Sequence, residues 1–257
     1  MDLKLYQRQF LVTGGTRGFG GAITKQLISE GAQVIAVARD KKNLDIFKEK
    51  YGNQLITVQG DITRPEVIDS VMQLIDEGKF DGAVINSGGP PAKQFLETTL
   101  NDWDEAYRNL LRWKVDIAQR LVKKMQKSGY GKLVFIESIS TKQPVANLVL
   151  SNAIRLSVVG FVKTLSQEVA GSGITMNILA PGYHDTQALQ RIFEKKAQQM
   201  NISVEEAREN LITATKMGLG NPDDMASLTL WLLSPHSKYV TGQTISHDGA
   251  VMQGVFG

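Results

Sequence analysis

Thr13-Gly14-Gly15-Thr16-Arg17-Gly18-Phe19-Gly20 is the stretch on which the reading of this chain turns. It follows directly on an apolar run at 9–12 and leads into a helical pattern over 20–30 that ends at Gly31. Strand, glycine turn and helix in that order open a doubly wound α/β sheet. Glycine permits a tight turn and lets the backbone approach a ligand closely. The free N–H groups of a helix start then face an anion, such as a dinucleotide pyrophosphate. The spacing is Gly14-x3-Gly18-x-Gly20, which departs from the older G-x-G-x-x-G pattern. Gly14, Thr16, Arg17, Gly18, Phe19 and Gly20 are the expected cofactor contacts in this turn.

Outward from the turn, short β-rich runs alternate with longer helical stretches. Further runs lie at 34–38, 55–58, 82–85, 133–136 and 175–179, with a weaker one at 243–246. Each reads as a strand buried on both faces. Helical stretches are expected at 41–51, at 101–127, at 151–170 and at 222–233, and one starts near Thr63, a candidate cap. The alternation predicts a Rossmann fold: a mainly parallel seven-stranded sheet with helices on both faces. One domain is expected over 1–257. Residues 183–220 break the rhythm, being polar and helix-prone without a strand. They read as a helical lid, with helices near 190–200 and 204–213.

Composition narrows the function classes. The chain has 257 residues, 42% hydrophobic and 21% charged, as ordinary globular proteins do. Its net charge of +3 is not gathered into a basic stripe, so no nucleic-acid partner is expected. Without cysteine it can form neither disulfides nor thiolate metal sites, and no metal is expected. No uninterrupted apolar run approaches membrane-span length, and Met1-Asp2-Leu3-Lys4 lacks a signal-peptide pattern. A cytoplasmic location is the expectation.

Several motifs together resemble the short-chain dehydrogenase/reductase family. The turn has its T-G-x3-G-x-G spacing. Asn86-Ser87-Gly88-Gly89 stands where the family has N-N-A-G, and Gly60-Asp61-Ile62 matches its adenine-contacting segment. Ser138 falls where its catalytic serine lies. Pro181-Gly182, with Thr186, matches the P-G motif that borders the nicotinamide. Thr241-Gly242-Gln243 and His247-Asp248-Gly249 match its C-terminal pattern. The resemblance spans nearly the whole chain and is closest to β-ketoacyl-acyl-carrier-protein-reductase-like members. It implies an NAD(P)(H)-dependent oxidoreductase with a small-molecule substrate, and pairing of subunits into a homodimer or homotetramer through the two long helices. Leu110, Val115 and Leu121 are apolar positions that could serve such a face or the sheet.

The second strand ends at Ala38-Arg39 rather than at an acidic residue. Arg39 and Arg17 suit a 2′-phosphate, so NADP(H) is expected in preference to NAD(H). Asp40 can point either way.

The catalytic positions depart from the family's Asn, Ser, Tyr and Lys. Ser151 stands where the tyrosine is expected and Arg155 where the lysine is. The asparagine position falls on Leu110, with Asn109 about 100° away on an ideal helix. Ser151 and Arg155 share a helix face. Arg155 can still bind the nicotinamide ribose, but a guanidinium does not release its proton. Lys142, Tyr183 and His184 are the nearby candidates for a proton donor. The serine, the 147–152 stretch and the arginine also resemble a divergent ketoreductase-like subgroup. A relative of that kind reduces a conjugated enone in antibiotic biosynthesis. Conjugate addition makes an enolate, which donors such as Ser138 can stabilise before water protonates it. The expected function is reduction of a small carbonyl or a conjugated enone. A catalytically silent dinucleotide sensor or scaffold is the alternative from another class.

Overall fold

The computed structural model describes residues 1–76, 79–215 and 217–254. Its strands are β1 (Gln9–Thr13), β2 (Gln33–Ala38), β3 (Leu55–Gln59), β4 (Gly82–Asn86), β5 (Gly131–Ile136), β6 (Ile174–Pro181) and β7 (Thr244–His247). Among the described residues these seven form one sheet, in the order β3-β2-β1-β4-β5-β6-β7. Every pairing is parallel. Strand order reverses between β1 and β4, and there the crossovers part in opposite directions.

The helices are α1 (Gly18–Ser29), α2 (Lys41–Tyr51), α3 (Pro65–Asp76), α4 (Leu100–Tyr107), α5 (Trp113–Ser128), α6 (Val149–Glu168), α7 (Gln187–Met200), α8 (Val204–Ala214) and α9 (Pro222–Leu233). Strand residues alternate between two cores. Phe10, Val12, Val34, Ala36 and Val84 pack with α1 and α9. Leu11, Ile35, Ala83, Phe135 and Met176 pack with α3, α5 and α6 on the opposite face. Both faces are covered, so the strands read as continuous apolar runs. Each fully buried aliphatic side chain contributes about 1.5–3 kcal/mol.

Two sequence expectations are corrected. The helix expected over 101–127 is interrupted by a turn of π-helix at Arg108–Arg112. The extra residue in that turn resets which side chains face the sheet. Thr63 is not the cap of α3. Its hydroxyl donates to Asp61 Oδ1 at 2.9 Å, and the helix starts at Pro65, whose missing N–H costs nothing in a first turn. By composition, α6 is long and apolar enough to cross a membrane, with a mean hydropathy of 1.2. However, it packs Val158 and Val162 on the sheet and carries the buried Arg155, as a core helix does.

Residues 183–220 hold α7 and α8, as the helix-prone pattern at 190–200 and 204–213 predicts. Leu189, Phe193 and Leu211 form a small core with Tyr183, Val204 and Leu219. This core is separate from the two that flank the sheet.

At the reversal point Thr13 Oγ1 donates to Asn86 O at 2.7 Å and accepts from Asn86 N at 2.7 Å. The Thr13→Val variant keeps the shape but leaves that amide without its acceptor. It should lose about 1–3 kcal/mol of stability in urea unfolding, with an unchanged m-value.

Candidate active site

The carboxyl ends of β1, β2 and β4 open onto a cleft of about 350 Å³. Gly14, Thr16, Arg17, Arg39, Asp61, Ile62, Asn86, Ser87 and Gly88 line it, together with Asp40 and Asn109. Gly14, Thr16 and Arg17 of the turn, Arg39 after the second strand, the adenine segment and the N-S-G-G motif therefore meet in one place, whereas Gly18, Phe19 and Gly20 lie outside this lining.

Local geometry explains the glycines. Gly14 adopts φ +63° and Gly18 φ +50°, the left-handed region in which glycine is unstrained. A Cβ on Gly20 would collide with Gly14 O, so the first turn of α1 fits against the loop only without a side chain. Arg17, the residue before α1, is extended at φ −143°, and no side chain caps the helix. The first amides of α1 are thus left for an anion. Ser87 Oγ is buried without a hydrogen-bond partner. An orphaned hydroxyl, a glycine cradle and an uncapped helix start together fit the phosphates of a dinucleotide.

Asp40 resolves as a structural group. It accepts from Asn43 N at 3.3 Å, capping α2, and pairs with Arg17 across the mouth of the cleft. Its charge is therefore already engaged. Arg39 has no hydrogen bond or ion pair among the described residues. Asp61 accepts from Thr63 N at 3.0 Å, which shapes the loop after β3.

The second half of the site lies at the ends of β5 and β6. Ser138 is half-buried and starts a short 3-10 turn, its Oγ accepting from Ser140 N at 3.1 Å. Ser151 is buried on α6, with Ser140 Oγ 3.3 Å away. Arg155, one turn on, donates from Nε to Ser151 Oγ at 3.1 Å. Its Nη2 approaches Gly88 O at 3.5 Å, which links this half to the cleft. Lys142 closes the turn after Ser138 and is half-buried. Burial holds its ammonium below the usual lysine range.

Pro181 ends β6, and Gly182 N donates to His247 O at 3.1 Å. Thr186 caps α7 through Leu189 N at 3.3 Å and lies against Gly18. Tyr183 packs its ring into the lid core. His184 is buried, 2.8 Å from His247 through Nε2 and Nδ1. Phe19 meets it edge-on, with ring centroids 5.0 Å apart. Phe19 thus ties the glycine turn to the root of the lid.

The family's asparagine position was expected to fall on Leu110. Leu110 is fully buried in the protein, whereas Asn109 lines the cleft. The π-turn that holds both is the cause. Reasoning also passed over Glu137 and Lys114, both buried beside Arg155. Glu137 carried a signal, since a carboxylate directly after the apolar strand 133–136 demands a partner. Lys114 carried none, because the π-turn sets its direction.

A doubly wound parallel sheet with a phosphate cradle at its reversal point defines a nicotinamide-dinucleotide oxidoreductase architecture. The chain belongs to the short-chain dehydrogenase/reductase family: residues 14–251 match the family model described as enoyl-(acyl carrier protein) reductase. It is similar to 3-oxoacyl-(acyl-carrier-protein) reductase FabG of Aquifex aeolicus, 29% identical over 98% of this chain and 100% of that protein. For FabG of Thermotoga maritima the identity is 30%, over 97% and 100%. A variant of actinorhodin polyketide ketoreductase solved with NADPH superposes with a TM-score of 0.90 at 28% identity, over 95% and 97%. YwfH, an NADPH-dependent reductase involved in bacilysin biosynthesis, shares the fold with a TM-score of 0.91 at 23% identity, over 97% and 100%. The chain is thus an oxidoreductase of the short-chain type.

Two outcomes test this geometry. The Gly20→Ala variant should lose dinucleotide binding by tenfold or more in fluorescence titration, a cost of about 1.4 kcal/mol or greater. The second concerns pH. Burial, foremost, holds His184 below its ordinary value of 6.5, with His247 adding to the effect. The native state then refuses a proton that the unfolded chain accepts. Stability should be full above about pH 6.5 and fall as pH drops below it. Urea unfolding between about pH 7.5 and 5 should show that decline, and His184→Gln should flatten it.

Proposed function

We propose that this chain is an NADP(H)-dependent reductase that delivers hydride to a conjugated enone or a small carbonyl, through a site built around Ser138, Ser151 and Arg155. The observation that carries this reading is the Ser151–Arg155 pair on α6. Its guanidinium Nε is 3.1 Å from the Ser151 hydroxyl, and both residues are buried. In this reading they stand in place of a phenol and an ammonium.

The dinucleotide, when bound, supplies the hydride. Gly14, Thr16, Gly18, Phe19, Gly20, Ser87 and Gly88 hold its phosphates and adjoining groups. Asp61 and Ile62 flank the adenine, Asn86 supports the cleft floor, and Pro181, Gly182 and Thr186 border the nicotinamide. Arg39 has no competing partner among the described residues, and Arg17 pairs with Asp40 at the same cleft. Two guanidinium groups at the end of β2 favour a 2′-phosphate, and the arginine fork suits that geometry.

Ser138 is the donor proposed for the substrate oxygen, since it stays half-exposed while Ser140 and Ser151 are buried. Arg155 keeps positive charge where negative charge develops, and it holds no proton to give. An aliphatic hydroxyl is too weak an acid to replace a phenol of pKa ~10. Such a site suits conjugate reduction, in which an enolate forms and is protonated at carbon. Lys142, from the turn after Ser138, and Tyr183, from the root of the lid, are the proposed proton donors.

Residues 1–257 are proposed to act as one domain, with 183–220 covering the substrate. Association into a homodimer or homotetramer would use the outer groove of α5 and α6. Val115, Ala118, Phe161 and Leu165 line that groove, whereas Leu110 and Leu121 face inward.

Labelled cofactor tests the chemistry. Deuteride from 4-deuterated NADPH should appear on the β-carbon of an enone, as read by NMR. Deuterium found only on carbinol carbon would overturn the enone reading. Cofactor choice has its own test: Arg39→Ala should weaken NADPH binding about tenfold or more, by the worth of a charge-assisted hydrogen bond, and NADH binding far less.

A further inference from the structure

Lys114 on α5, Glu137 at the end of β5 and Arg155 on α6 form a buried chain of charge. Glu137 Oε1 accepts from Lys114 Nζ, and Glu137 Oε2 accepts from Arg155 Nη1 at 2.7 Å. The side chains of Lys114 and Glu137 are 0% exposed and that of Arg155 is 6% exposed. Arg155 alone reaches outward, to Ser151 and to Gly88 on the cleft lining.

We propose that Lys114 and Glu137 are positioning residues: Glu137 fixes the Arg155 guanidinium, and Lys114 cancels the carboxylate so that the site keeps one net positive charge. The proposal rests on the reading that a nicotinamide dinucleotide occupies the cleft with its ring near Arg155. A guanidinium paired with a carboxylate alone sums to zero, and its field in the pocket is largely cancelled. Adding a second buried cation behind the carboxylate restores the positive sign. Stability is a poor explanation for the triad. Burying three charges costs desolvation, and well-packed apolar replacements are often as stable or more so.

The groups that act on Lys114 are Glu137 and Arg155, with the Trp113 ring centroid 5.9 Å away. Burial, foremost, lowers Lys114 to about 8, with Glu137 opposing and Arg155 adding to the shift. Below that pH the triad is net positive, and above it the triad is neutral.

The oxidised nicotinamide ring is a cation and the reduced ring is neutral. The ratio of their dissociation constants therefore reads the charge beside the ring, without turnover. The 2′-phosphate, titrating near ~6, is common to both nucleotides and cancels in the ratio. The experiment titrates the full chain with NADP+ and with NADPH, following fluorescence, from about pH 6.5 to 9.5. In the parent, Kd(NADP+)/Kd(NADPH) should fall roughly three- to tenfold as pH passes Lys114. Lys114→Arg should hold the ratio at its low-pH value throughout. Lys114→Met should show the high-pH value at every pH, with thermal unfolding confirming a folded chain. A flat ratio in the parent would overturn the proposal, as would a Lys114→Met variant that follows the parent's pH dependence. Should Lys114→Met fail to fold, the parent and Lys114→Arg profiles decide the matter. Failure of both nucleotides to bind would instead overturn the reading of the cleft, and the proposal with it.

Discussion

The hydroxyl of Thr13 holds β1 and β4 together at the point where strand order reverses. A parallel sheet must open a crevice there, because the crossovers on either side leave in opposite directions. Backbone polar groups at the crevice floor need partners, and Thr13 supplies one for both the amide and the carbonyl of Asn86. The glycine turn begins at the next residue. That clasp fixes the start of the turn against the end of β4. The two cores on either face then fix the sheet that carries it.

What was legible in the sequence follows from this construction. Strands buried on both faces announce themselves as short apolar runs, and 9–12, 34–38 and 82–85 fall inside β1, β2 and β4. The cleft lining was legible in the sequence because Gly14, Arg17, Arg39 and Asp61 sit on the loops after β1, β2 and β3, which lie side by side in the sheet. The catalytic half was less legible. An ideal helical count carries no knowledge of a π-turn, so it set the family's asparagine position on Leu110 and missed Lys114. The Asp40 carboxylate was ambiguous in sequence because its role depends on Arg17, 23 residues away along the chain.

The buried charges show the same dependence on three-dimensional context. Glu137 looks like an error in a buried strand end until two cations are found on it. Burial of a single unpaired carboxylate would cost several kcal/mol, whereas one shared by two donors is fully satisfied. Such an arrangement constrains all three elements that meet there. Moving α5, β5 or α6 by an ångström would break a charge-assisted hydrogen bond in a medium that cannot replace it. The rigidity gained is local, and it falls on Arg155, which bonds Ser151 beside the cleft.

His184 joins the 183–220 segment to the glycine turn. Its ring lies against Phe19 of the glycine turn, bonds to His247 at the end of β7, and leaves no room for a side chain at Gly220. The two ends of the 183–220 segment meet at the His184–Gly220 bridge, beside the glycine turn. His184 Nδ1 lies 3.2 Å from Gly182 O. If it carries the ring proton towards that carbonyl, then Nε2 is the acceptor facing His247, and the neutral ring satisfies both neighbours. A second proton would place a donor against a donor in a buried contact. The 183–220 segment and the glycine turn thus meet at a ring that burial biases towards its neutral form. Leu189, Phe193 and Leu211 form a core of their own, apart from the two that flank the sheet, so the segment meets the glycine turn through Phe19, His184 and Thr186 rather than through shared core packing.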